Sequence, residues 1–577
     1  MATSPGFVDN FNDLVASCIS FYEESKDELS LDRLRVKRAK LSYFSEAFHK
    51  DCGTLTAPVQ NRLEDLRNGN CLILMTAHQP NFFAYSGVLR KATLNFVLAK
   101  TLEKILKVPV VSFFGVADQD FTDDRWVKSA LLPDVERRGG VLELRFSLPE
   151  KLLLNKVAKP SGQVLRQWRA EIENWIVSKI GSIERFGRSF GFEHAWKPDI
   201  LAENFGELWG IVEDAYGRAE VFSDFNAFVM SKVINDVWGY DTVFSRFSDC
   251  QQAFEDEFCF LLSHFDEYSR YIKKATVDMR GQNKGVYESE YQTLPFWYHC
   301  NCGSKARLMA EYKDGLLFGH GECLSCGRDY EIGFGGDIEH GISEILSRIS
   351  ARSLSMPLIF FDGLKVGCYV GGVGGREYLQ QAGFVAGNMG MSFPTVTIWR
   401  PKDVYYGVGQ LEALIMLGKL SSSFDPSQLP RAKAKLEEKI LRVQARIDEL
   451  ESRKKEFTKS MHRKKEGAIE RMRLLSSEQN KIRKESNFSL MMHDLKLLNN
   501  IDAVMSLYPC MVDYAVNVGL KATSEQWMAF LEENGSFSSD VALKTGFEDF
   551  LAKLTRTPVP KLENSGLCSH YDLRNCS

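Results

Sequence analysis

The chain is defined first by what it lacks. None of its apolar runs approaches the roughly 20 residues needed to cross a bilayer. The start, MATSPGFVDNFND, lacks the charged-then-apolar layout of a secretory signal. Together these predict a cytoplasmic protein with no membrane partner. The formal charge is only −4, so no global basic field recruits nucleic acid, and any basic character must be local. Thirteen cysteines scattered over 577 residues argue against a disulfide framework and for a metal site plus buried thiols. There is no Walker loop and no G-x-G-x-x-G. What remains is ordinary globular material, 44% hydrophobic and 26% charged, long enough for three or four structural units.

The pattern along the chain predicts α/β architecture. Residues 1–70 read as helical, with Leu14, Cys18 and Tyr22 spaced by four. The short apolar run CLILMT then reads as a buried parallel strand, followed by a helix over 88–106 and a second strand in VPVVSFFGVADQD. Strand, helix and strand in that space form a βαβ unit, which implies a parallel sheet. VLELRF, after Gly139-Gly140, reads as a third strand. Residues 151–290 read as a helical insertion, and the strand–glycine turn–helix–strand rhythm returns over 336–424. From 425 to 500 the chain is charge-dense. Leu436, Ile440, Val443, Ile447, Leu450 and Phe457 follow heptad spacing, and Ile469, Met472, Leu475 and Ile482 resume it in another phase. This predicts an antiparallel coiled-coil hairpin turning near Gly467. It can be solvated, dimerise or grip a substrate. Residues 501–577 read as a helical segment with a loose polar end.

The strongest chemical signal is Cys300-x-Cys302 with Cys323-x-x-Cys326, each pair followed by a glycine, Gly303 and Gly327. Two close pairs on tight turns offer four thiolates to one tetrahedral ion, which predicts a structural zinc ribbon over 291–335. Four thiolates leave no open position for catalysis. Lys305, Arg307 and Lys313 are either the solvated face of this small unit or a nucleic-acid contact.

Three loop clusters carry the remaining chemistry. His78, Gln79, Pro80 and Asn81 stand where the first strand ends, with Arg90 and Lys91 on the following helix. In a parallel sheet, ligands bind beyond the carboxyl ends of the strands. Unpaired N–H groups at the helix start would suit phosphate or carboxylate. Asp118, Gln119 and Asp120 end the second strand and can hold magnesium, orient an amine or act as a base. The third cluster, YVGGVGGREY, has Gly371 and Gly372 before Glu377 and Tyr378. The plainer readings are a turn histidine satisfied locally, aspartates capping the helix at DDRW, and a glycine turn without a ligand.

Taken together, these pieces resemble the cysteine-adding ligase family of bacillithiol synthesis. In that family a T-G-Q-Q-type loop closes the first strand, where this chain has Thr76, Ala77, His78 and Gln79. An acidic E-D-H-D-F-like loop follows V-P-V, here Asp118 to Phe121, and a Y-V-G-G turn comes later, here Tyr369 to Gly372 with Glu377 displaced. The opening loop HQPNFFAYSGVLRK also looks like the signature of WbqC-like proteins, with His78, Gln79, Pro80, Asn81, Gly87 and Lys91 on pattern. The ligase resemblance covers most of the chain except the cysteine ribbon. It implies a Rossmann-like core split into halves at 1–150 and 336–424, a coiled-coil homodimer, and the joining of an amino acid to an amine of a small molecule. Forming that amide would need nucleotide activation, with ATP and magnesium as cofactors beside the zinc. The implied roles are catalytic for His78, Gln79, Asp118 and Asp120. Asn81, Lys91, Gly371, Gly372, Glu377 and Tyr378 would bind substrate or nucleotide. The alternative is an RNA- or tRNA-binding protein that uses the ribbon and the basic hairpin over a non-catalytic core.

Overall fold

A computed structural model describes residues 7–190, 198–282, 286, 291–400, 402–421, 423–460 and 465–556. The fold is mixed α/β. Its central sheet has six strands: β1 (Phe7–Val8), β2 (Leu72–His78), β3 (Val110–Val116), β4 (Val243–Arg246), β5 (Val366–Gly371) and β6 (Thr395–Ile398). Across the sheet the order is β1, β6, β5, β2, β3, β4, and every neighbouring pair is parallel. The chain starts the sheet's middle at β2 and moves outward through β3 to β4. It then returns beside β2 as β5 and moves outward the other way through β6. The direction reverses between β2 and β5, the position where open parallel sheets leave a crevice beyond their carboxyl ends.

Both faces of this sheet are covered, which explains why its strands read as unbroken apolar runs. Leu72, Leu74, Phe114 and Val370 enter one core with the helices Phe11–Leu29 and Ser86–Leu106. Ile73, Met75, Phe113 and Val366 enter the other with Ser355–Leu364 and Arg376–Met389. Gly115 permits the close approach of the element after β4, since a Cβ there would lie 2.2 Å from the Phe247 ring.

Two strand assignments change. Val141–Arg145 pairs antiparallel with Ser129–Pro133 in a separate hairpin and does not join the central sheet. The edge next to β3 is instead β4, four residues inside the region expected to be a helical insertion. It is held there by packing: Phe244 stacks on Phe114 and Phe48 with centroids 4.7 and 5.7 Å apart. The rest of the insertion is helical, including Gly162–Phe190, Asp199–Arg218, Phe222–Lys232, Glu255–Ser263 and Phe265–Gly281.

The cysteine-bearing segment forms an antiparallel sheet of Thr293–His299, Lys305–Lys313, Leu316–Glu322 and Asp329–Gly333. A fifth strand, Ile349–Ala351, pairs with Thr293–His299, so the sheet extends beyond the boundary expected at 335.

The charge-dense region forms long helices over Leu429–Ser460 and Lys465–Glu485. Gly467 lies inside the second helix, and the turn between them falls at 461–464, outside the described residues. Ile447, Leu450, Leu475 and Ile482 form their shared seam, whereas Ile469 is exposed. The side chain of Phe457 is likewise outside the described residues. A third helix, Phe488–Ser506, crosses the expected boundary at 500 and lays Met491 and Leu498 into the same core as Leu436 and Ile440. Gln479 is buried in the seam, where its amide donates to the Ile447 carbonyl and to Glu451 at 3.2 and 3.0 Å. No described helix is long and apolar enough to cross a membrane.

Candidate functional site

Three segments predicted from the sequence meet at one rim of the central sheet. β2 ends at His78, β3 runs beside it from Val110 to Val116, and β5 lies on its other side. The Ala117 amide donates to the His78 carbonyl at 2.9 Å, and the Thr76 hydroxyl donates to Val370 O at 2.8 Å. Parallel pairing therefore puts the histidine loop, the acidic loop and the diglycine turn at the same ends.

The His78 ring is half-buried, and its Nδ1 lies 3.0 Å from the Gln79 carbonyl. Burial, with the Lys91 charge, lowers its pKa to about 3, so the imidazole is neutral. Asn81 is buried beside it and hydrogen-bonds the imidazole, which favours the charged form but does not outweigh burial. Lys91 extends from the helix Ser86–Leu106 towards the diglycine turn. A Cβ on Gly372 would lie 3.4 Å from its Nζ. Its one polar contact is the Ala77 carbonyl at 3.4 Å, and no carboxylate pairs with it among the described residues. Burial lowers its pKa to about 7.

Arg90, next in sequence, has a different role. It turns away to Asp403 at 3.2 Å and the Trp399 carbonyl at 3.3 Å, and ties two parts of the interior together. The helix start is also less open than expected. The Ser86 N–H donates to Pro509 O and the Met511 N–H to Phe83 O, so residues 509–511 cover that end. Phe83 adopts φ +42° inside this buried loop, a costly conformation for a bulky residue.

In the acidic loop the two aspartates differ. Asp118 is buried and its carboxylate is occupied, accepting from the Ser248 amide at 3.0 Å, from the Ser248 hydroxyl and from Asn155 Nδ2 at 3.1 Å. Burial raises its pKa to about 6, against those hydrogen bonds. It caps the helix Phe247–Cys250, while the cap before Trp126 is Asp124. These contacts tie the carboxylate of Asp118 to Ser248 and Asn155. Asp120 is half-buried, and Gln119 is buried.

The glycine turn does not require glycine for a left-handed backbone, since Gly371 to Gly375 are absent from the positive-φ residues. Its glycines serve close packing. A Cβ on Gly371 would meet Leu379 at 3.1 Å, and one on Gly375 would meet the Tyr378 hydroxyl at 3.1 Å. Tyr378 hydrogen-bonds Tyr369 and packs at the edge of the core. Glu377 sits half-buried in the first turn of Arg376–Met389.

The four cysteines converge. Cys300 and Cys302 lie on the turn after Thr293–His299, and Cys323 and Cys326 on the turn after Leu316–Glu322. The Sγ atoms of Cys300 and Cys326 are 3.6 Å apart, those of Cys302 and Cys323 are 3.5 Å apart, and all four lie within 4.8 Å of one another. A tetrahedron with zinc–sulfur bonds of about 2.3 Å has edges of about 3.8 Å, so the cluster can hold one metal ion. Gly303 and Gly327, at φ +88° and +67°, make the two turns. His299 is not among the ligands and contacts Ser350 Oγ at 2.9 Å.

Sequence reasoning missed several residues at this rim. Asn155 and Ser248 fix Asp118, and Lys305, read as either a solvated residue or a nucleic-acid contact, is buried against Phe121. No local pattern marks them, because each depends on a distant segment folding over it. The chain matches no protein-family model and no curated protein at a significant level.

Proposed function

We propose that the chain is an enzyme acting on small anionic molecules at the carboxyl rim of its sheet, and that it joins a carboxylate to an amine. The observation that carries this reading is Lys91, buried between His78 and the Gly372 turn with no counter-charge among the described residues. A buried lysine is unfavourable unless an anion joins it. Neutral His78, with Asn81 hydrogen-bonded beside it, supplies polar contacts for the same ligand. Asp120 orients the amine or a magnesium ion. ATP would activate the carboxylate as a phosphate-bearing mixed anhydride. The amine then attacks the carbonyl carbon, the phosphate-bearing group leaves and the amine loses a proton.

Strand order supports a Rossmann-like reading, with β4-β3-β2-β5-β6 as the doubly wound core and β1 as its sixth strand. The resident metal of the cysteine cluster is read as structural zinc in a ribbon, the long helices as a coiled-coil hairpin that pairs two copies, and the site of action as the cytoplasm. The RNA-binding reading is weaker. Of its three ribbon cations, Lys305 is buried, Lys313 pairs with Glu331 and Arg307 alone is exposed and without a carboxylate partner among the described residues.

The test is ATP consumption by the purified protein, screened across the standard amino acids with a pool of small amines. Turnover that depends on one amino acid is expected. It should disappear in His78→Ala, Lys91→Met and Asp120→Ala while the melting temperature stays within a few degrees. Absence of amino-acid-dependent turnover, or unchanged rates in all three variants, would overturn the reading.

A further inference from the structure

The cysteine-bearing sheet is bound directly to the acidic loop through one short segment, 152–156. The Gly303 carbonyl, next to Cys302, accepts from the Leu153 N–H at 2.8 Å. The same segment turns back on the acidic loop. Leu154 N–H donates to Asp120 O at 3.0 Å, Asn155 N–H to Asp118 O at 3.0 Å, and Thr122 N–H to Leu152 O at 2.9 Å. A Cβ on Gly303 would lie 3.5 Å from Lys156 Cβ, so the metal turn fits closely against this strap.

This arrangement brings Lys305 to the rim. The residue is 3% exposed. Its Nζ lies 5.0 Å from the centre of the Phe121 ring and 5.8 Å from that of Trp297. The Arg352 guanidinium lies 4.2 Å from the same Trp297 ring. Asp120 and Asp118 favour the charged form of Lys305, but burial outweighs them and lowers its pKa to about 8. Among the described residues no carboxylate pairs with it, and the oxygens of Asp118 are already engaged by Ser248 and Asn155. Aromatic faces offset part of the lost hydration of an ammonium, but they do not neutralise it.

We propose that Lys305 is an anion-binding residue of the rim, taking a carboxylate or phosphate oxygen of the ligand whose other anionic contact is Lys91, and that the metal turn holds it in place. This rests on the reading of the rim as a ligand site. It makes the cysteine-bearing sheet part of that site and not an appended module.

The test is calorimetric titration of the metal-loaded full chain with inorganic pyrophosphate in one arm and acetate in the other, which separates phosphate from carboxylate recognition. Lys305→Met is expected to weaken whichever anion binds by at least about tenfold. Lys305→Arg should stay within about threefold of the wild type and Arg307→Met within about twofold. Metal content and melting temperature identify any variant that has lost its fold, and in that case the Lys305→Arg and Lys305→Gln pair decides by charge. Stripping the metal should reproduce the Lys305→Met loss and add little in that variant. If Lys91→Met weakens binding tenfold and Lys305→Met does not, the Lys305 proposal is overturned and the rim reading stands. The reverse result supports Lys305 and removes Lys91. No binding of either anion to the wild type overturns both, and unchanged affinity after metal removal overturns the role of the metal turn.

Discussion

Two regions of this molecule bury a lysine and treat it in opposite ways. Between the helices Gly162–Phe190 and Val408–Ser421, Lys179 is 1% exposed and meets Asp134 at 2.7 Å and Glu412 at 2.6 Å. Burial pulls its pKa down, but the two carboxylates outweigh burial and leave it raised. At the sheet rim, Lys91 is also buried but among the described residues meets only a carbonyl, and its pKa falls to about 7. The same fold therefore has the means to neutralise a buried ammonium and does not use them at the rim. A cation left without a counter-charge there is suited to receive one from a ligand.

The comparison breaks most visibly under substitution. Lys179→Met leaves two buried carboxylates together and should cost about 3–5 kcal/mol of stability, read from denaturant unfolding. Lys91→Met removes an unpaired charge without orphaning a partner. It should raise stability by about 1–3 kcal/mol at pH 7 while it abolishes anion binding. If both variants shift stability in the same direction, the contrast between the two sites is false.

A smaller effect comes from pH. The folded-state pKa of Lys91, about 7, lies below its ordinary value of 10.5. Between these values the unfolded chain binds more protons, so the Lys91 contribution makes stability rise with pH across that window, and Lys91→Met should flatten the slope. Anion affinity should move the other way and fall as the ammonium deprotonates above about pH 7. His78, near pKa 3, stays neutral throughout, so a pyrophosphate affinity that does not change between pH 6.5 and 9 would count against Lys91 as the contact.

Much of this was legible before any coordinates. The β2 and β3 runs are buried on both faces, so their apolar character is unbroken and reads clearly. The loops at their ends were placed correctly because pairing in a parallel sheet puts like ends together. The four cysteines were legible because their spacing is local. By contrast, β4 is four residues long, VFSR, and distant partners hold it: pairing with β3, the Phe48 and Phe114 rings, and the bond from Phe244 N–H to His49. VLELR has strand character but pairs outside the main sheet, because periodicity records extended backbone and not its partner. The surroundings of Asp118 and Lys305 are not legible in the sequence for a related reason. The surroundings of a charged residue depend on what covers it, and here the cover comes from Ser248, Asn155 and the acidic loop, all distant in sequence.

The outermost strand has a consequence for how the protein is made. Phe7–Val8 pairs with Thr395–Ile398, and the Thr397 hydroxyl bonds to Val8 O across 389 residues of sequence. During synthesis Phe7–Val8 stays unpaired until that whole intervening stretch has emerged from the ribosome. This makes the edge a late closing step in biogenesis.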